Sequence, residues 1–285
     1  MTHYSPLRYP GGKNKLAKFI ALMCEINDIF GHYVEPYAGG ASVALHLLIN
    51  GYVKEVTIND IDRSIYAFWY SCLNKTDKLC ELIDDTEITI ENWKKQKEIQ
   101  QNREDASLFE LGFSTLFLNR TNTSGIMNGG VIGGVGQKGK YKIDCRFNKS
   151  EIIKRIKLIA KYKKNIHLYQ LDALELIKKI QKESKNKQTI FYFDPPYYLK
   201  GRSLYTNYYK HEDHLEIYNA ITNIKNSQWI VSYDNTPEIK KIYKNFKPLE
   251  YSFLHTAYRS KEGREVLFFN KNLIVPEIQD PIKLN

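Results

Sequence analysis

The sequence predicts a wound α/β domain interrupted by a helical insertion. Two observations carry this. Short β-rich runs alternate with stretches of helical periodicity, the pattern of helices laid on a wound sheet. The alternation then stops between about Asn74 and Phe147, where no convincing strand occurs.

Taken in order, strands are expected at His32–Glu35, Glu55–Asn59, Ile166–Leu171, Thr189–Asp194, Trp229–Tyr233, Leu249–His255 and Val266–Asn270. Helices are expected near Ser42–Asn50, Ile61–Leu73, Ile152–Tyr162, Ala173–Lys182, Asp213–Ile224 and Pro237–Tyr243. Ile152, Ile153, Ile156, Ile159 and Ala160 form the apolar stripe of an amphipathic helix. Inside the interruption, helical segments fall around Ile90–Asn102 and Asp105–Leu118. A loop follows that holds Gly125, Gly129, Gly130, Gly133, Gly134, Gly136 and Gly139. Loops of that length in compact proteins are functional or disordered. The expected organisation is a core of residues 1–73 and 148–285, with 74–147 as a second, helical domain.

Composition narrows the class. The 285 residues carry 42 Lys and Arg against 32 Asp and Glu, a formal charge of +10. That excess suits a polyanionic partner, although a lysine-rich surface gives the same balance. No run approaches the roughly 20 apolar residues of a membrane span, and the polar segment from Met1 to Lys15 does not read as a secretory signal. Cys24, Cys72, Cys80 and Cys145 are scattered without a CxxC pair. This speaks against a zinc site and a disulfide scaffold, and for a reducing cytoplasm.

Acidic residues recur where strands end. In Tyr33-Val-Glu-Pro-Tyr-Ala-Gly-Gly-Ala-Ser-Val-Ala-Leu45, a strand runs through a small-residue turn into a helix. Small residues there let backbone approach a ligand at the edge of a parallel sheet, or simply make a tight turn. Asp60 follows the next strand, 21 positions after Gly39, a spacing that suits an acid holding a ribose diol. Asp60 or Asp62 could equally cap a helix. Asp172 follows a third strand and serves either an adenine amino group or a helix cap.

The fourth such motif is Thr189-Ile-Phe-Tyr-Phe-Asp-Pro-Pro-Tyr-Tyr198. Pro195 and Pro196 fix φ and donate nothing, so their carbonyls stand rigid and open. An exocyclic amino group is a poor nucleophile because its lone pair is delocalised into the ring. The Asp194 carboxylate and Pro195 carbonyl would draw its hydrogens and favour a tetrahedral nitrogen, while Tyr197 offers a stacking face. Chemistry on a paired base generally requires flipping it out of the helix. Tyr9-Pro-Gly-Gly-Lys13 is not a phosphate-binding P-loop, since Leu7 and Asn14 occupy the decisive positions. Its turn can instead bring Lys13 beside a carboxylate.

In this order the motifs resemble the Dam-type DNA adenine-N6 methyltransferases, the α-group with its recognition region between cofactor and catalytic motifs. The resemblance rests on Pro10-Gly-Gly-Lys13, Glu35-Pro-Tyr-Ala-Gly-Gly40, Asn59-Asp60-Ile-Asp62, Leu171-Asp172-Ala and Asp194-Pro-Pro-Tyr197, with Leu118-Asn-Arg120-Thr in the insertion. It spans Arg8 to Asn270. It implies a Rossmann-like S-adenosylmethionine-dependent methyltransferase sheet with a mainly helical target-recognition insertion.

By the same resemblance, Tyr9 and Lys13 line the cofactor pocket, and Glu35, Pro36, Tyr37, Ala38, Gly39 and Gly40 wrap the methionine portion. Asp60 takes the ribose and Asp172 the cofactor adenine. Asp194, which also borders the cofactor, holds the target adenine with Pro195, Pro196 and Tyr197.

Arg120 and Asn122 are expected at base edges, and Lys138, Lys140, Lys142 and Arg146 either track phosphates or form a solvated hairpin. Tyr205, Tyr208 and Tyr209, within 199–212, either close over the flipped base or pack back on the sheet. After Arg120 the text is Asn122-Thr-Ser-Gly rather than the Cys-Phe-Asn-Gly of many members, a departure that bears on a GATC target more than on the chemistry.

S-adenosylmethionine is the implied cofactor and no metal is expected. The implied partners are double-stranded DNA and, in a restriction-modification setting, a cognate restriction endonuclease. The alternatives are methylation of cytosine N4 or RNA adenine by the same fold, or a catalytically silent DNA-binding module.

Overall fold

The computed structural model describes residues 3–8, 13–183, 188–199, 209–255, 261–278 and 280–284. Two compact units emerge. One comprises residues 13–61 and 165–285, the other residues 1–12 and 62–164.

The first unit is built on a seven-stranded sheet: β1 (His32–Glu35), β2 (Glu55–Asn59), β3 (Ile166–Tyr169), β4 (Thr189–Phe193), β5 (Gln228–Asp234), β6 (Leu249–His255) and β7 (Lys261–Phe269). Their order is β3-β2-β1-β4-β5-β7-β6. The first five are parallel, whereas β7 runs antiparallel between β5 and β6. The chain order reverses between β1 and β4, the kind of switch point at which ligands bind in open α/β sheets. All seven expected strands form. The last begins at Lys261, five residues ahead of the expected Val266.

Both faces of this sheet are covered. Helix α1 (Ala17–Ile26), which periodicity did not reveal, buries Phe19, Ile20 and Met23, and Phe19 meets Phe269 edge to face at 6.1 Å. Helix α2 (Ser42–Ile49) follows β1 directly. Opposite them, Val34, Phe191, Phe193, Val231 and Phe268 form a core with Ala173, Leu176, Ile177 and Ile180. Those four recur at helical spacing along one face of the helix Ala173–Glu183.

The second unit is helical: α3 (Arg63–Asn74), α4 (Thr76–Asp85), α5 (Ile90–Gln101), α6 (Leu108–Thr121) and α7 (Lys149–Ala160). Local signals set their starts. Asp62 caps α3, Thr89 caps α5, Asn148 caps α7, and Ser107 with Glu110 closes a capping box on α6. Helix α4 was not anticipated, and Asp62 takes the capping role that had been open to either Asp60 or Asp62.

This unit is wider than residues 74–147, because α3 and α7 pack with the insertion. Arg63 donates to the Arg103 and Ala106 carbonyls, and Ser71 Oγ to the Leu108 carbonyl. Gly112 of α6 lies so close to α3 that a Cβ would strike the Ala67 carbonyl and Ser71 Oγ. Among the described residues no helix is long and apolar enough to cross a membrane.

Candidate active site

Because β3, β2, β1 and β4 are parallel neighbours, the loops after them share one edge of the sheet. Asn59 ties three of these loops together. Its Nδ2 donates to the Pro36 carbonyl at 2.9 Å and the Leu171 carbonyl at 3.0 Å, while its Oδ1 accepts from Leu171 N at 2.9 Å. Ala38 N donates to the Asn59 carbonyl at 2.8 Å. Gly39 has φ +46°, a left-handed conformation suited to glycine, and its N–H reaches Asp60 Oδ2 at 2.9 Å. Asp60 thus braces the turn that the small residues form. Asp172 Oδ1 accepts from Leu174 N at 2.8 Å, the helix-capping alternative.

Glu35 lies under this turn, 4% exposed. Its Oε1 accepts from Tyr33 OH at 2.9 Å and Ala44 N at 3.2 Å, whereas the buried Oε2 has no partner among the described residues. Burial raises its pKa to about 8, against the downward pull of those two donors. A buried acceptor lacking a donor, close to Asp60 and Asp172 in strand order, fits a ligand with ammonium, diol and amino donors.

The Asp194-Pro-Pro-Tyr197 tetrapeptide follows β4. Asp194 Oδ1 takes two donors, Ser232 Oγ at 2.8 Å and Lys13 Nζ at 3.1 Å. Lys13 opens a short 3-10 turn, Lys13–Leu16, and its ammonium also meets Glu265 Oε1 at 2.8 Å and Tyr197 OH at 3.0 Å. Burial alone would lower the Lys13 pKa, but the Asp194 and Glu265 carboxylates raise it well above the usual lysine value. Asp194 is shifted upward, first by burial and then by the charge of Glu265, with Lys13 and Ser232 opposing.

Tyr197 does not present an open stacking face here. It is 3% exposed, its hydroxyl donates to Glu265, and Lys13 Nζ lies 5.1 Å from its ring centroid. The chain beyond it is held by Asp234, whose two oxygens accept from Tyr198 N at 2.9 Å and Leu199 N at 3.1 Å.

The match of residues 9–256 to a family model decides the identity: the model describes the D12 class of N6 adenine-specific DNA methyltransferases. The chain belongs to this family. A relative, the Type II methyltransferase M.MjaIII of Methanocaldococcus jannaschii, is 25% identical over 223 residues, covering 72% of this chain and 73% of its own. A solved structure, PH1948 of Pyrococcus horikoshii, is described provisionally as an RNA methyltransferase. It aligns at TM-score 0.43 and 10% identity over 92% of this chain and 85% of that one. As a D12 member the chain is an adenine-specific DNA methyltransferase, the activity that the ordered motifs implied by resemblance.

Four residues that bond around this candidate site escaped the sequence reading: Ser232, Asp234, Tyr251 and Glu265. The available signal was an acid placed directly before the interior run Val266–Phe269. Tyr9 and residues 10–12 lie outside the described residues, as do Tyr205 and Tyr208. Tyr209 packs back on the sheet, its hydroxyl 2.8 Å from that of Tyr37 and its ring against His214.

In the helical unit, Arg120 and Asn122 are engaged internally. Arg120 donates from Nε to the Pro6 carbonyl at 2.7 Å and from Nη1 to the Arg146 carbonyl at 3.4 Å. Burial, with Arg155 and Arg8 nearby, lowers its pKa to about 10. Asn122 is fully buried. Its Oδ1 accepts from Trp93 Nε1 at 2.7 Å, and its Nδ2 donates to the Ile126 and Met127 carbonyls, both at 2.9 Å. The base-edge role expected of Asn122 does not fit this geometry, because all its polar atoms are spent on the fold. Lys138, Lys140, Lys142 and Arg146 are exposed, as phosphate contacts require, although Lys142 Nζ donates to the Gln137 carbonyl at 2.6 Å. The glycine-rich segment is a set of turns pinned by Gln137, which bonds Ile132 O, Gly134 O and Ile143 N.

Proposed function

We propose that this D12 methyltransferase uses S-adenosylmethionine to methylate adenine N6 at a specific duplex sequence, on a base turned out of the helix. The observation that carries the reading is the loading of Asp194. Both of its donors fall on Oδ1. Oδ2 is thereby the oxygen offered to a substrate amino group, with the stiff Pro195 carbonyl as second acceptor. Glu35, Asp60 and Asp172 would hold the cofactor. When bound, S-adenosylmethionine supplies a methyl group on a sulfonium, which is its own leaving group.

The protein then has to position and to hydrogen-bond. Asp194 keeps the amino nitrogen aimed, and the surplus proton leaves N6 by way of the same carboxylate. Exposed Lys138, Lys140 and Arg146 meet phosphates, and the fit to a Type II relative supports a restriction-modification role with a companion endonuclease.

The test is duplex DNA incubated with purified protein and S-adenosylmethionine, followed by sequencing that reads modified bases. Methyl groups should appear on adenine in one sequence context, and Asp194→Ala should abolish them while cofactor binding survives. Methylation confined to cytosine or RNA, or an active Asp194→Ala protein, would refute the reading.

A further inference from the structure

Strand β7 sets a carboxylate behind the catalytic tetrapeptide. Glu265 is 2% exposed and stands in register with Tyr251 of β6. Its oxygens serve different partners: Oε1 takes Lys13 Nζ and the Tyr197 hydroxyl, and Oε2 takes the Tyr251 hydroxyl. The buried Glu265 and the partly buried Asp194 carboxylates thus share one ammonium. Such burial is costly unless every charge is paired and every lone pair has a donor. Without Glu265, the ammonium would be drawn toward Asp194, and the Tyr197 hydroxyl would lose the carboxylate to which it donates.

We infer that Glu265 is a positioning residue for methyl transfer, holding Lys13 and Tyr197 so that the Asp194 carboxylate keeps its aim at the amino group. It acts through those two side chains. The inference rests on Asp194 as the acceptor for the amino nitrogen.

Glu265→Gln keeps the shape but turns one acceptor into a donor facing donors; Glu265→Asp keeps the charge on a shorter arm. Three measurements are needed: single-turnover methyl transfer at saturating S-adenosylmethionine and DNA, equilibrium binding of each, and the pH–rate profile. The Gln variant should lose on the order of 100-fold in single-turnover rate, the scale of a misplaced reacting group, with both affinities nearly unchanged. Glu265→Asp should recover part of the loss. The acid limb of the Gln profile should move to lower pH, since the Glu265 charge is one of the influences raising Asp194. A packing defect would leave that limb in place.

A folded Gln variant with wild-type rate, or one whose rate falls only in step with cofactor binding, overturns the inference. If Glu265→Gln does not fold, Tyr251→Phe carries the test. Losing the Oε2 donor should cost about tenfold in rate, and a wild-type rate would overturn it. Asp194→Ala run in parallel separates the failures. An active Asp194→Ala refutes the acceptor reading, whereas a dead one beside a fully active Glu265→Gln refutes only the role of Glu265.

Discussion

Ser232 on β5 donates to Asp194 Oδ1 at 2.8 Å, from the strand next to the one that leads into the Asp194-Pro-Pro-Tyr197 loop. Tyr192 OH in turn donates to Ser232 Oγ at 2.8 Å, so the hydroxyl is aimed from behind. This pair of strands holds one carboxylate oxygen still; in the proposed reaction the other meets the substrate.

Replacing Ser232 with Ala should therefore slow methyl transfer by about tenfold, the scale of one hydrogen bond to a charged group. The Ser232 bond lowers the Asp194 pKa, so its loss raises that pKa. The acid limb of the pH–rate profile should move to higher pH, opposite to the shift expected for Glu265→Gln. A limb that stays put would show that Asp194 does not govern it.

Glu35 makes folding stability depend on pH. Its pKa rises on folding from 4.5 to about 8, so the native state holds a proton that the unfolded chain releases. The resulting stability is fully present below pH 4.5 and is lost as pH rises toward 8. Glu35→Gln should flatten that decline, which melting temperatures of both proteins at pH 5 and pH 8 would reveal. Parallel curves would remove Glu35 as the cause.

The helical unit should separate binding from stability. Replacing Lys138 and Lys140 with Ala should weaken DNA binding about equally across sequences. The salt dependence should become shallower by about 0.9 in log–log slope for each phosphate no longer neutralised. Asn122→Ala should instead cost about 2–3 kcal/mol of stability, because it strands the buried Trp93 Nε1 and two partly buried carbonyls. Urea unfolding followed by Trp fluorescence measures the second, and titrations at several salt concentrations the first. Lysine variants with an unchanged slope would return those residues to simple surface charge.

Local chemistry made much of this protein legible. Strand-end acids, small-residue turns and two consecutive prolines are consecutive in sequence, so Glu35, Gly39, Asp60, Asp172 and Asp194 could be picked out before any packing was known. The strands were readable because interior runs such as Ile190–Phe193 are apolar on both faces. Helix α4 was harder to read, since among its ten residues only Leu79, Cys80 and Ile83 are buried.

The sequence by itself determined the class of chemistry and the order of the motifs, because each motif is a short stretch whose backbone and side chains act locally. Only the tertiary structure decided that Glu265, 252 positions after Lys13, shares its ammonium with Asp194, and that Tyr197 turns inward. It also decided that Asn122 belongs to the fold rather than to an open surface. Those outcomes depend on which strands become neighbours and which polar groups must find partners once buried, and no local window of residues encodes either.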